Sequence, residues 1–195
     1  MNFLAHLHLS GSDHDIMMGN FIGDFVRGRN LKEQFEEGIA KGIELHRAID
    51  EFTDTHAIVQ QSKNRLRPKY RHYAGVIVDM FYDYYLAKNW SDYSDQPLEE
   101  YAQKFYSLTK NYNHILPERA KRLLVYMAQG NWLVNYGKTE GIHRALSGMA
   151  SRTPFESKME EAVNDLVEHD KEFEEEFRKF FPELRAFSAN WLKER

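Results

Sequence analysis

Helical periodicity restricts this chain more than any other feature. Apolar residues recur every three or four positions along most of its length, and no run alternates apolar with polar residues far enough to make a strand. The spacing predicts helices near 31–37, 39–56, 68–90, 97–110, 116–128, 138–148 and 155–180, with a last one over 183–194. Gly38, Pro68, Pro117, Gly137, Pro154 and Pro182 punctuate them. Five prolines and eleven glycines in 195 residues leave little room for long structureless stretches. The expected fold is all-α, a helical bundle forming one domain over residues 1–195.

Charge sits where such helices should be apolar. In "GIELHRAIDEFTDTH", residues 42–56, His46, Asp50 and Asp54 follow one another at four-residue spacing among Ile43, Leu45, Ala48, Ile49 and Phe52. Each four-residue step turns a helix by about 40° beyond a full turn, so the three share one side. The helix is apolar nearly all round and is expected to be buried on both faces. "YRHYAGVIVDMFYDYYLAKNW", residues 70–90, repeats the pattern with Asp79 and Asp83. "GNFIGDFVRG", residues 19–28, sets Asp24 among Phe21, Ile22, Phe25 and Val26, and "NFLAHLHL" adds His6 and His8. A buried carboxylate loses hydration that only a cation, a proton or a hydrogen-bond donor restores. For any one of these residues an ion pair or a helix cap is explanation enough. Four apolar segments that each carry one point to a shared centre.

The chain has no cysteine, which excludes disulfides, thiolate nucleophiles and cysteine-ligated zinc. Carboxylates with one or two imidazoles suit Mn²⁺, Mg²⁺ or Fe²⁺ better than a structural zinc. The first residues, "MNFLAHLHLSGSDHD", lack a basic leader, and no uncharged run approaches the ~18 residues of a membrane span. A cytoplasmic location without a membrane partner is therefore expected. The dipeptides His14-Asp15 and His169-Asp170 fall in polar surroundings, and neighbours on a helix point about 100° apart, so both are expected at the surface.

The net charge of −4 is mild, but its distribution is uneven. No acidic residue lies between Asp54 and Asp79, and within that gap stand Lys63, Arg65, Arg67, Lys69 and Arg71. Such a band suits a negative partner. Nucleic acid fits poorly, because the chain is acidic overall and carries no recognised nucleic-acid motif. Arg27, Arg47 and Arg152 add guanidinium groups able to grip phosphate oxygens in a fork. The acidic stretch "EEAVNDLVEHDKEFEEEFRKFF" reads as scaffold, with Val163, Leu166, Val167, Phe173 and Phe177 buried and the acidic face solvated.

The blocks "MNFLAHLHLS", "GNFIGDFVRG", "GIELHRAIDEFTD", "VDMFYDYYLAKNW" and "GMASR" resemble, in this order, the bacterial acyl carrier protein phosphodiesterases. The resemblance spans residues 1 to about 152 and implies a divergent, HD-like helical fold that depends on Mn²⁺. It implies removal of 4′-phosphopantetheine from the serine of holo acyl carrier protein. Asp24, His46, Asp79 and His6 then become the expected metal ligands. Asp50 or Asp83 would serve as general base, with Arg27 and Arg47 neutralising the phosphoryl group. Arg65, Arg67, Lys69, Arg71 and Arg152 would meet the substrate, a small and strongly acidic protein. Two other functions stay open on the residues themselves: a metal-dependent phosphohydrolase of a small nucleotide or phosphoester, and a non-catalytic helical binding module.

Overall fold

Every regular element of the computed structural model, which describes residues 1–195, is helical. Two short helices open the chain, α1 (Phe3–His8) and α2 (His14–Ile22), followed by a tight turn over Gly23–Phe25. Then come α3 (Glu37–Thr55), α4 (Ala57–Tyr70) and α5 (Ala74–Lys88), which form the centre of the bundle. A smaller group, α6 (Leu98–Leu108), α7 (Glu118–Gln129), α8 (Trp132–Asn135) and α9 (Thr139–Ala150), leads to α10 (Ala162–Glu168) and the long α11 (Asp170–Glu194). One core of 50 buried apolar residues runs through all of it, from Met1 to Trp191. No helix is long and apolar enough to cross a membrane.

The all-α expectation holds, with several boundaries moved. The helix expected at 31–37 is a single turn at Leu31–Glu33, and α3 starts only at Glu37. α1, α2 and α4 up to Pro68 lie in stretches where the spacing predicted no helix. α4 escaped notice because it is basic and buries only Val59, Leu66 and Tyr70 among its apolar residues. Pro68 stands inside its last turn, and the helix ends instead at Arg71, which adopts φ 52°. Conversely, Pro182 does not divide α11. A proline removes one backbone donor and crowds the preceding turn, yet here Phe173, Phe177, Phe180, Phe181, Leu184 and Trp191 bury the same side of the helix before and after it. Val167, expected in the core, is 62% exposed.

The closest helix pair is α2 against α3, and glycine permits it. A Cβ on Gly19 would lie 2.1 Å from the Ile39 carbonyl oxygen, and one on Gly42 would lie 2.2 Å from that of Ile16. The two backbones touch without intervening side chains. α1 is fixed differently: the fully buried Asp83 of α5 accepts hydrogen bonds from the backbone amides of Asn2, Leu4 and Ala5 at 3.2, 2.8 and 3.3 Å. Its carboxylate supplies the acceptors that the first turn of a helix lacks. Burial nevertheless pushes the Asp83 carboxyl up to about 7, against the pull of the nearby amino terminus and the three amides.

Part of the acidic face of α11 also turns inward. Glu176 is buried and accepts a two-pronged bond from Arg65 at 2.7 and 2.8 Å, with Ser62 adding a third at 2.5 Å. Lys69 pairs with Glu161 and Asp165, and Lys63 with Asp54. The basic band is therefore no continuous positive surface. Arg65 and Lys69 staple α4 to the C-terminal helices, and Arg67 bonds the side chains of Gln60 and Asn64 on its own helix. Arg71 alone among the expected docking residues of the band is exposed without a polar side-chain partner.

Candidate active site

Residues from α1, α2 and α3 converge on one buried point. His6 and His46 stack with ring centroids 4.0 Å apart and planes inclined by 18°. Asp50, one turn after His46, faces both: its Oδ1 lies 3.2 Å from His6 Nε2 and its Oδ2 3.2 Å from His46 Nε2. Asp24, in the turn that ends α2, approaches His46 Nε2 at 3.2 Å from the other side. The rings are buried, whereas the Asp24 side chain is 66% exposed and that of Asp50 41%. The cluster thus has a buried imidazole floor and an open carboxylate rim.

Asn20 orients both rings. Its Nδ2 donates to the His6 carbonyl at 2.8 Å and to Ser10 Oγ at 2.9 Å, which leaves its Oδ1 to accept from His6 Nδ1 at 2.8 Å. Its own carbonyl accepts from His46 Nδ1, also at 2.8 Å. Each imidazole therefore holds a proton on Nδ1, and each turns Nε2 toward the carboxylates. Gly23 leaves the space that the His46 ring occupies, since a Cβ there would stand 2.2 Å from the ring's Cγ.

The charges of the cluster are strongly coupled. Burial works to lower His46, but hydrogen bonds to Asp24 and Asp50 outweigh it and raise the imidazole to about 9. Burial and the neighbouring His46 cation hold His6 below the ordinary imidazole range. Desolvation opposes ionisation of Asp50, yet the bonds from His46 and His6 keep its carboxyl far below the usual range. Asp24 is lowered as well, chiefly by its bond to His46. His6 Nε2 and His46 Nε2 thus each face one oxygen of Asp50 at 3.2 Å. The ligand atoms of His6, His46 and Asp50 lie within 4.8 Å of one another, close enough to share one divalent cation. These three, with Asp24 beside them, are the residues able to hold a metal.

Other expected site residues lie elsewhere. Asp79 accepts the buried Met1 amino group at 3.0 Å and does not join the imidazoles. Asp83, the alternative general base, is enclosed by backbone amides at the start of α1 and has no route to a substrate. Arg47, next to His46, donates to the Val26 carbonyl at 3.2 Å and ties the 26–30 loop to α3. Arg27 on that loop and Arg152 after α9 are exposed with no carboxylate partner. Neither His-Asp dipeptide is in the cluster: the Asp15 carboxylate takes a bond from the Tyr112 hydroxyl, and His169 lies between α10 and α11. Asn20 and Gly23 are the members that pattern reading passed over, although a lone Asn within "MMGNFIGDF" is as anomalous as the aspartates.

Fold and cluster together define an all-helical domain with a histidine–aspartate site raised on its first three helices. The chain belongs to the acyl carrier protein phosphodiesterase family, whose model matches residues 1–184. Proteins named acyl carrier protein phosphodiesterase match it along nearly their whole length. That of Photorhabdus laumondii is 32% identical over 191 residues, covering 97% of this chain and 96% of its own. Those of Klebsiella pneumoniae and Escherichia coli are 34% and 35% identical, covering 97% of this chain and 98% of theirs. No solved structure matches the chain.

Proposed function

We infer that the chain hydrolyses the phosphodiester between 4′-phosphopantetheine and the serine of holo acyl carrier protein, releasing the apo protein. Family membership over the whole chain supports the reaction, and the His6–His46–Asp50 convergence supports where it happens. A divalent cation would be held by His6, His46, Asp50 and Asp24, whose oxygen-and-imidazole donors suit Mn²⁺, Mg²⁺ or Fe²⁺, and the resemblance to the family favours Mn²⁺ among them. Once bound it would polarise a phosphoryl oxygen and acidify an attacking water.

The protein's own residues do the rest. Asn20 keeps both Nδ1 protons engaged, so the Nε2 atoms cannot turn away from the centre. Asp50, half-exposed at the rim, would take the proton of the attacking water and return one to serine Oγ as the phosphorus–Oγ bond breaks. Arg27, exposed three residues after Asp24, and the free donors of Arg47, next to His46, would neutralise the negative charge that builds on the phosphoryl oxygens. The buried floor of stacked imidazoles limits solvent access to one face.

The test incubates metal-stripped protein with holo acyl carrier protein, with and without Mn²⁺, and weighs the carrier by mass spectrometry. Loss of the phosphopantetheine mass only with metal is the expected result. An unchanged carrier under every divalent metal sinks the reading. The orienting role of Asn20 predicts a second outcome: Asn20→Leu lowers Mn²⁺ affinity about 10–100-fold, as loss of a metal ligand's hydrogen-bonding partner does. Titration calorimetry reads it directly, and unaltered affinity would remove Asn20 from the site.

A further inference from the structure

The 63–71 band was the expected landing place for an acidic carrier, and its cations prove largely committed to the protein's own carboxylates. A more basic surface lies further along the chain. Between Tyr101 and Phe155 there are eight lysines and arginines against two glutamates. Lys121 finds an internal partner, Glu118 at 2.7 Å, and the other seven cations are exposed without one. The same stretch holds three of the four large apolar side chains left exposed by the fold, Val125 (54%), Tyr126 (63%) and Phe155 (71%). On α7, Arg119, Arg122 and Tyr126 fall at i, i+3 and i+7 and so share one face. Unpaired charge beside exposed aromatic surface is what an interface for an oppositely charged partner contains.

This wall is tied to α2, which leads into Asp24, and to α5. Phe105 of α6 packs on Phe21, three residues before Asp24, with ring centroids 5.2 Å apart. The Tyr106 hydroxyl takes a bond from the Leu133 amide, which seats α8 on the same support. α9 begins where Gly137 lies against Ala87, at the C-terminal end of α5. Its His143 then bonds the Glu160 carbonyl, and the adjacent Glu161 pairs with Lys69 just ahead of the start of α5. α9 therefore runs back along α5, and Arg152 and Phe155 follow its last turn.

We propose that the acidic carrier protein docks on this wall, with Arg119, Arg122 and Tyr126 of α7 and Arg152 and Phe155 after α9 as its contacts. The proposal rests on the substrate reading above. In that reaction the bond to be cut is at the serine, so the carrier's own surface must reach the cluster. A typical interface of roughly 800 Å² per partner then has to spread over the neighbouring wall. Charge complementarity selects the basic side.

The experiment measures binding of fluorescently labelled holo acyl carrier protein to the metal-stripped full chain by anisotropy, at low and moderate salt. The double variant Arg119→Glu/Arg122→Glu is expected to raise Kd at least tenfold and to flatten its salt dependence. Tyr126→Ala should weaken binding several-fold and leave the salt dependence intact. The pair Arg67→Glu/Arg71→Glu should change Kd less than twofold, and melting curves of all variants report on folding. Binding that ignores α7 and answers to Arg67 and Arg71 overturns the docking surface alone. An unaltered chain that binds no holo carrier overturns the substrate reading and the proposal together.

Discussion

Asp50→Ala is expected to reduce turnover of holo acyl carrier protein by about a thousandfold or more and to abolish the rise in melting temperature on adding Mn²⁺. Asp50 is the one side chain that reaches both imidazoles, one oxygen to each at 3.2 Å. Its removal takes away a ligand and the base at once. A loss of several kcal/mol of charge stabilisation translates at about 1.4 kcal/mol per decade of rate. The pH dependence of metal binding gives a second view of the same residue. In the metal-free protein His46 keeps its proton to about pH 9, because burial is outweighed by its bonds to Asp24 and Asp50. A metal must displace that proton, so apparent Mn²⁺ affinity should rise with pH through the neutral range, approaching about tenfold per unit, and level off near 9. Without Asp50 one of the bonds that raise His46 is gone, so in metal-free Asp50→Ala the His46 imidazole itself should titrate at lower pH, which NMR reads. Retention of metal-induced stabilisation in Asp50→Ala would place the metal somewhere other than between the two rings.

How much of this could be read from residue order depends on what each feature needs. The helical class follows from spacing alone, and so does the pairing of His46 with Asp50, because four residues along a helix is a fixed geometry. Asp24 and His6 stood out as polar residues in apolar segments, and the fold brings both to the same point. Asp79 and Asp83 satisfied the same criterion and serve other ends, binding the Met1 amino group and the first turn of α1. Periodicity reports that a charge is buried. It does not report which buried partner the tertiary fold supplies. The basic band does not form a continuous positive face for a related reason, since the carboxylates that occupy Arg65 and Lys69 come from about a hundred residues further along the chain. Pro182 misled because its local cost is outweighed by packing along the whole of α11.

The second large effect concerns a residue that touches no ligand. Gly19→Ala is expected to destabilise the metal-stripped protein by about 3 kcal/mol or more, a fall of roughly 6–12 °C in melting temperature for a chain of this size. Elsewhere in a helix this exchange is favourable, because alanine restricts the unfolded chain. Here the new methyl would sit 2.1 Å from the Ile39 carbonyl oxygen and 2.9 Å from Gly42 Cα. Both obstacles are backbone, so no side chain can swing aside, and α2 has to move away from α3. The shift would be felt at the neighbouring residue. Asn20 holds His46 from α2 across this same contact through the 2.8 Å bond its carbonyl accepts from His46 Nδ1, so Mn²⁺-induced stabilisation should fall along with intrinsic stability. Gly148→Ala is the matched control, a helical glycine whose Cβ would meet nothing within 4 Å. It should leave melting unchanged or raise it slightly, with full metal response. If the two variants melted alike, the close approach of α2 and α3 would not be what holds the histidines over the site.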